Sequence, residues 1–294
     1  MADAPLVVMI PLGGVGSRFQ KEGYSQPKPF VKVFGTPMII KVISSLKLLR
    51  DDTLVIVYDP EFIDRSLWEP LKEAVPSLAL IELPGPTRGA AETVLFGLKG
   101  LTRVLRFRPV MLVDGDCFYE EDIVSKYRAV CKRANAVFYF RDTQPKPMYS
   151  YIKMDSKGQV TEVKEKVKIS HYANTGCYCF MSGEQLQVQC TDLIESNKTQ
   201  TGALSTHTVG EYYTSGVIAN MIEQGATFLG LQVNPKLMYV LGTPTQLEKY
   251  CRDHTKGGAI GRIALETRLL LKQAAFDKRE GRWVALDNFP DCSK

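Results

Sequence analysis

The sequence predicts an α/β fold, a mainly parallel mixed central sheet with flanking helices. Two observations carry that expectation. Short, nearly continuous apolar runs recur through the first half, and amphipathic segments of helical length separate them. Strands apolar on both faces belong in sheets that helices cover from either side.

Taken in order, 6-LVVMI-10 is the first strand, followed by 53-TLVIVY-58, 78-LALIEL-83, 109-PVMLVD-114 and 136-AVFYF-140. Helices are expected between them over 36–49, 60–74, 89–101 and 121–134. The second half changes character. The alternating run 149–166, with a turn at Asp155–Gly158, reads as a β-hairpin, and 171–182 as a further strand. A helix follows near 183–198, another over 209–225 ending at Gly225, a strand over 226–233, and helical segments from 242 to about 278. No repeat or linker interrupts the chain. The expected organisation is one domain over 1–250, with a nucleotide-like first half (1–120) and a second half (121–250), and a helical extension over 251–294 packed on it.

The 294 residues carry 37 basic and 32 acidic side chains, a net charge of +5 with no basic stripe, which argues against a nucleic-acid partner. The seven cysteines form no C-x-x-C or zinc-type spacing. Cys177 and Cys179 alternate within one strand-like run and read as buried reduced thiols on one face. His171, His207 and His254 match no metal or triad spacing. No stretch reaches membrane-spanning length, and no signal-peptide pattern opens the chain, so a cytoplasmic protein without a membrane partner is expected.

In parallel sheets ligands sit at the carboxyl ends of strands. Three notable stretches begin there: 12-LGGVGSR-18, 84-PGPTRGAAET-93 and 114-DGDCFY-119. The first is neither a P-loop nor a dinucleotide fingerprint, since Arg18 and Phe19 follow Gly16 where a third glycine belongs. A tight turn would explain the glycines alone. Arg18, and Lys28 set between Pro27 and Pro29, point further, to an anion cradle with a bidentate guanidinium and a fixed ammonium. Asp114 and Asp116, two apart at a strand end, can face one site, and carboxylate oxygen is the ligand type that Mg²⁺ takes.

The combination 12-LGGVGSRF-19 with 27-PKPFVKVFGTPMI-39 resembles the opening signature of the sugar-phosphate nucleotidyltransferases, also called nucleotide-sugar pyrophosphorylases. The resemblance continues, in the family's order, through 88-RGAAETV-94, 113-VDGD-116, 164-KEK-166, 174-NTGCYCF-180 and 242-GTPTQL-247, so it covers about residues 6–250. It implies a Rossmann-like nucleotide-diphospho-sugar transferase fold. It also implies transfer of a nucleotidyl group from an NTP to a sugar 1-phosphate, with Mg²⁺ as cofactor and pyrophosphate as by-product.

By the same resemblance Leu12, Gly13, Gly14, Gly16 and Ser17 cradle the triphosphate, and Gly89 lies in the base-recognition loop. Arg18 would hold the leaving phosphates and Lys28 the α-phosphate, with Lys166 a third catalytic cation on the sugar phosphate. Glu165, Asn174 and Gly176 would form the sugar pocket, and Asp116, with Asp114, the metal site.

The sequence departs from the family at Val240, where many members place a second metal aspartate, and at Ser150, where many have glycine. It lacks a glutamine before the base loop, where 81-IELP-84 stands, and so leaves the base open. Homo-oligomerisation is also open. Two competing readings are a non-catalytic nucleotide-sugar sensor of the same fold, which Val240 favours, and an NAD(P)-dependent dehydrogenase, which the broken fingerprint disfavours.

Overall fold

A computed structural model describes residues 4–199 and 210–255 of the chain. Its centre is a nine-stranded mixed sheet. The first half supplies four parallel neighbours, β1 (Val7–Leu12), β4 (Thr53–Tyr58), β5 (Leu78–Glu82) and β6 (Val110–Val113), with β1 between β4 and β6. These fall on the apolar runs the sequence offers as strands. Two short strands, β2 (Lys32–Val33) and β3 (Thr36–Pro37), form a separate hairpin between β1 and β4.

The second half adds antiparallel pairing. After β7 (Cys117–Tyr119) come β8 (Asn135–Arg141), β9 (Ser150–Met154), β10 (Val160–Glu165) and β11 (Tyr172–Phe180). Strand β11 runs antiparallel to β6, β8 and β9, while β12 (Phe228–Gln232) pairs parallel with β8. A final short strand, β13 (Met238–Val240), pairs with β7 outside the main sheet.

Alternation along β1 and the residue before it shows why both faces are covered. Leu6, Val8, Ile10 and Leu12 enter one core layer, and Val7 and Met9 the other. On the first face lie α2 (Met38–Ser45), α3 (Glu69–Ala74) and α6 (Ile123–Arg128). On the second lie α4 (Ala90–Lys99), α7 (Gly183–Glu195) and α8 (Thr214–Glu223). Cys177 and Cys179 are buried, free thiols in the first layer, as their alternation predicts; Cys292 lies outside the described residues.

Several helices are shorter than their sequence patterns. The one expected from residue 36 begins at Met38, because Thr36 and Pro37 pair with Val33 and Lys32 instead. Proline has no N–H to continue a ladder inward, and it suits a helix entry. The segment expected from residue 60 becomes helical only after a 3-10 turn at Arg65–Trp68, where the Asp64 carboxylate accepts from the Ser66 N–H at 2.8 Å. Helix α8 starts at Thr214 rather than 209; residue 209 itself lies outside the described residues. Helix α9 (Pro244–Thr255) carries the chain past residue 250, and the helical segments expected from 256 to 278 lie outside the described residues, as does His207.

One long-range ion pair locks the sheet's base. Asp52, whose side chain is fully buried, takes Arg128 at 2.6 Å and also accepts the N–H groups of Leu6 at 2.8 Å and Leu49 at 2.7 Å. Both carboxylate oxygens are thereby satisfied, which is what a buried charge requires. Among the described residues no helix is long and apolar enough to cross a membrane.

Candidate active site

The carboxyl ends of β1, β5 and β6 open onto two adjoining cavities. One, of about 310 Å³, is lined by Arg18, Lys28, Asp114, Asp116, Glu165 and Asn174 among others. The second, of about 590 Å³, is lined by Gly13, Gly14, Thr87, Arg88, Gly89 and Thr93 among others. Ala90 and Tyr213 belong to both walls.

Arg18 stands on the short helix α1 (Ser17–Lys21), directly after the glycine loop. Lys28 opens a 3-10 turn, Lys28–Phe30, that is pinned to the core where Phe30 meets Trp68 at 4.8 Å. Gly16 brings the two cations together, since a side chain there would come within 2.9 Å of the Lys28 Cβ. The Lys28 ammonium bonds to the Asp116 carboxylate at 2.5 Å. Leu12 and Ser17, expected in the triphosphate cradle, line neither cavity: Leu12 is buried in the core, and Ser17 is exposed at the start of α1.

Asp114 and Asp116 follow β6 side by side. Although the cavity leaves Asp114 open to water, the protein around it and the Asp116 carboxylate push its carboxyl up to about 8, against the pull of Lys28. Room for that carboxylate comes from a bulge in β11. The register shifts between Asn174 and Tyr178, and Gly176 adopts φ +85°; a Cβ there would lie 2.3 Å from an Asp114 oxygen. The Asp114 N–H donates to the Gly176 carbonyl at 2.9 Å, closing the arrangement.

Asp114 and Asp116 line the same cavity and carry hard carboxylate oxygen, the donor type that Mg²⁺ takes, while the Lys28 ammonium now occupies one Asp116 oxygen. No third His, Cys, Asp or Glu joins them in a metal-holding group among the described residues. Val240 lines the cavity and offers no ligand.

Glu165 ends β10, where burial raises its carboxyl above the usual range while a hydrogen bond from the Ser215 hydroxyl, at 2.8 Å, opposes the shift. Lys166, next along the chain, adopts φ +52° and donates to the Tyr213 hydroxyl at 2.9 Å. It lines neither cavity, but its ammonium lies 3.8 Å from the carboxylate of Glu165, which lines the smaller one. The loop at Arg88 and Gly89 is held from one side: the Tyr212 N–H donates to the Arg88 carbonyl at 3.0 Å and the Ala91 N–H to the Tyr212 carbonyl at 2.9 Å. At Gly89, φ +139°, any Cβ would strike the Tyr212 backbone at 2.6 Å. Gly13 packs against the paired hydroxyls of Thr87 and Thr93, which are 2.7 Å apart.

Such a site, cations and carboxylates at the end of a parallel sheet beside a glycine loop, has the chemistry that can hold phosphates. Residues 7–213 match the sequence profile of the nucleotidyl transferase family. The chain belongs to that family. As a nucleotidyl transferase it shares its fold with a nucleoside-diphosphate-sugar pyrophosphorylase from Vibrio cholerae RC9, at 20% identity over 83% of this chain and 99% of that chain, with a TM-score of 0.67. It likewise resembles the inositol-1-phosphate CTP transferase from T. maritima, at 13% identity over 87% of this chain and 98% of that chain, with a TM-score of 0.63. No curated protein matches the sequence.

Sequence reasoning missed part of this nucleotidyl transferase site. Tyr149, Tyr178, Tyr213, Ser215, Thr243 and Gln246 all line the smaller cavity. Tyr178 had a signal, because it follows Asn174 and Gly176 at the two-residue period of a strand, opposite the two thiols. Tyr213 and Ser215 had none, since their contact with Glu165 and Lys166 spans about fifty residues of chain.

Proposed function

We propose that the protein transfers a nucleotidyl group from an NTP to a sugar 1-phosphate and releases pyrophosphate. The observation that carries this reading is the shared wall: the glycine-loop cavity and the carboxylate-lined cavity meet at Ala90 and Tyr213, with Arg18 and Lys28 reaching the latter. Two substrates can thus lie end to end with their phosphates beside the cations.

A phosphate monoester oxygen is already ionised at neutral pH, so attack needs no general base. What remains is to align two polyanions and to stabilise charge at the α-phosphorus and on departing pyrophosphate. Arg18 would take the leaving phosphates, and Lys28, moving from Asp116, the α-phosphate. Glu165 and Asn174 would receive sugar hydroxyls, and Lys166, held at Tyr213, the sugar phosphate. Asp116 with Asp114 would hold Mg²⁺, which supplies positive charge to phosphate oxygens when bound.

The test is pyrophosphate release across a panel of NTPs and sugar 1-phosphates with Mg²⁺. Turnover of at least one pair, lost in Lys28→Ala, is the expected result. Binding of nucleotide sugars with no release from any pair would make the protein a sensor and refute the reading.

A further inference from the structure

The end of the sheet opposite the cavities carries a surface that the proposed transfer does not use. Val7, at the start of β1, donates its N–H to the Pro109 carbonyl at 2.9 Å, just ahead of β6. The Arg108 guanidinium reaches across to the Asp51 carbonyl at 2.9 Å and the Thr53 hydroxyl at 3.4 Å, at the start of β4. The amino ends of three parallel strands thus meet the short helix α5 (Arg103–Arg106) and the turn at Leu49–Asp52 at one corner.

Large apolar side chains stand out from that corner. Val104 is 71% exposed, Phe107 57% and Leu49 45%. Single exposed apolar residues are ordinary, but several at one corner mark a surface that something covers. Cations stand among them. The Arg103 guanidinium lies 5.7 Å from the centroid of the Phe107 ring. Among the described residues Arg106 is paired, with Glu184 of α7 at 2.9 Å, whereas Arg50, Arg103 and Arg108 make no ion pair. The Arg106 pair fixes α5 to α7, so Val104 and Phe107 are held outward on a braced helix end. Asp51 is the neighbouring acid, one carboxylate against three guanidinium groups, and the corner stays positive.

We propose that this corner is a docking surface for an anionic membrane. Apolar tips among unpaired cations match such a surface, which takes the tips below its headgroups and answers the guanidinium charge with phosphate and carboxylate. A second copy of the chain suits it poorly, because a two-fold contact sets the same arginines against one another. Side chains more than half clear of the protein also project, and a headgroup layer yields around them where a protein partner must bring a matching pocket. The lack of a spanning stretch in the sequence, and of a spanning helix among the described residues, excludes only a chain that crosses the bilayer. Docked by the amino ends of its strands, the protein holds its cavities, at the carboxyl ends, toward the water and open to substrates.

Co-sedimentation of the full chain with lipid vesicles is the test. Vesicles of phosphatidylcholine alone are compared with vesicles in which about a third of the lipid is phosphatidylserine. At about 0.1 M salt the anionic vesicles should bind at least about tenfold more tightly, and about 0.5 M salt should remove most of that gain. Arg103→Glu should weaken binding about tenfold or more and Phe107→Ser about fivefold, while Arg103→Lys keeps it. Val104→Ser supplies a second apolar variant should Phe107→Ser fail to fold. Melting temperatures should stay in place, because the altered side chains project into water. Equal binding to the two kinds of vesicle, or binding to neither, overturns the proposal. Binding that survives both Phe107→Ser and Val104→Ser overturns it as well, since charge alone then suffices. A dimer in light scattering that Phe107→Ser dissociates assigns the corner to a second copy, with the same result. None of these readouts needs turnover, so each outcome leaves the nucleotidyl transfer to its own experiment.

Discussion

Replacing Gly176 by alanine should damage both stability and turnover, and the size of each effect follows from the bulge in β11. At φ +85° an L-residue is strained by about 1–2 kcal/mol. The new Cβ would lie 2.3 Å from an Asp114 oxygen, where ordinary contact begins near 3.4 Å, so the carboxylate must move by about 1 Å. Overpacking of that kind costs a further 1–2 kcal/mol, roughly, which brings the total to about 2–4 kcal/mol. With a urea m-value of about 3 kcal/mol/M, the midpoint should fall by about 1 M. A displacement of about 1 Å at the reacting centre lowers kcat by about a hundredfold. Urea denaturation and pyrophosphate release measure the two effects. Gly14→Ala is the control for stability: no atom lies within 4 Å of its Cβ, and its midpoint should stay within the equivalent of about 0.5 kcal/mol of wild type. If Gly176→Ala denatures and turns over like the wild type, the bulge does not seat Asp114 and the account of the site is wrong.

Lys28→Ala and Arg18→Ala should each lower pyrophosphate release by about a hundredfold or more while the melting curve stays in place, since both side chains are partly open to the cavity. Tyr213→Phe keeps the wall but removes the hydroxyl that accepts from Lys166, and should raise the sugar-phosphate KM more than the NTP KM. Asp52→Asn, far from the site, should lose about 3–5 kcal/mol in denaturant titration, because Arg128 is left buried without its counter-charge. Burial lowers the Lys41 ammonium to about 8, below its usual value of 10.5. The unfolded chain therefore binds more protons than the native one between about pH 8 and 10.5, and this residue's cost to stability declines as pH rises through that window, by at most about 1.4 kcal/mol per pH unit. Lys41→Met should thus gain most over wild type near pH 7, and the gap should narrow by pH 10; a gap that widens with pH would reverse the sign and refute it.

What could be read from the chain was whatever local chemistry decides. The strand at Thr53–Tyr58 falls on its apolar run residue for residue, because continuous β-branched residues between turns have few other uses. The loops after β1 and β6 were legible for the same reason: Arg18, Lys28 and the two aspartates are conspicuous at strand ends. Long-range partners left no mark. Nothing in the sequence pairs Asp52 with Arg128, Glu165 with Ser215 or Ser150 with Asn174, since each contact is made by the fold and not by spacing. Lys166 shows the limit from the other side. Its residue type suits a phosphate, but only the fold shows that a left-handed backbone turn sets its ammonium on the Tyr213 hydroxyl, 3.8 Å from the Glu165 carboxylate.

Tyr212 and Tyr213 are consecutive, yet they serve different neighbours. The backbone of the first clamps the Gly89 loop, and the side chain of the second walls the acceptor cavity. A change of residue at Gly89 would press on Tyr212 and, one peptide further, shift the surface that the other substrate meets. On the proposed function, the preferences for base and acceptor would therefore be geared together, and a single substitution in the loop would disturb both. Altered specificity on either side should come with a compensating change in the 210–213 segment.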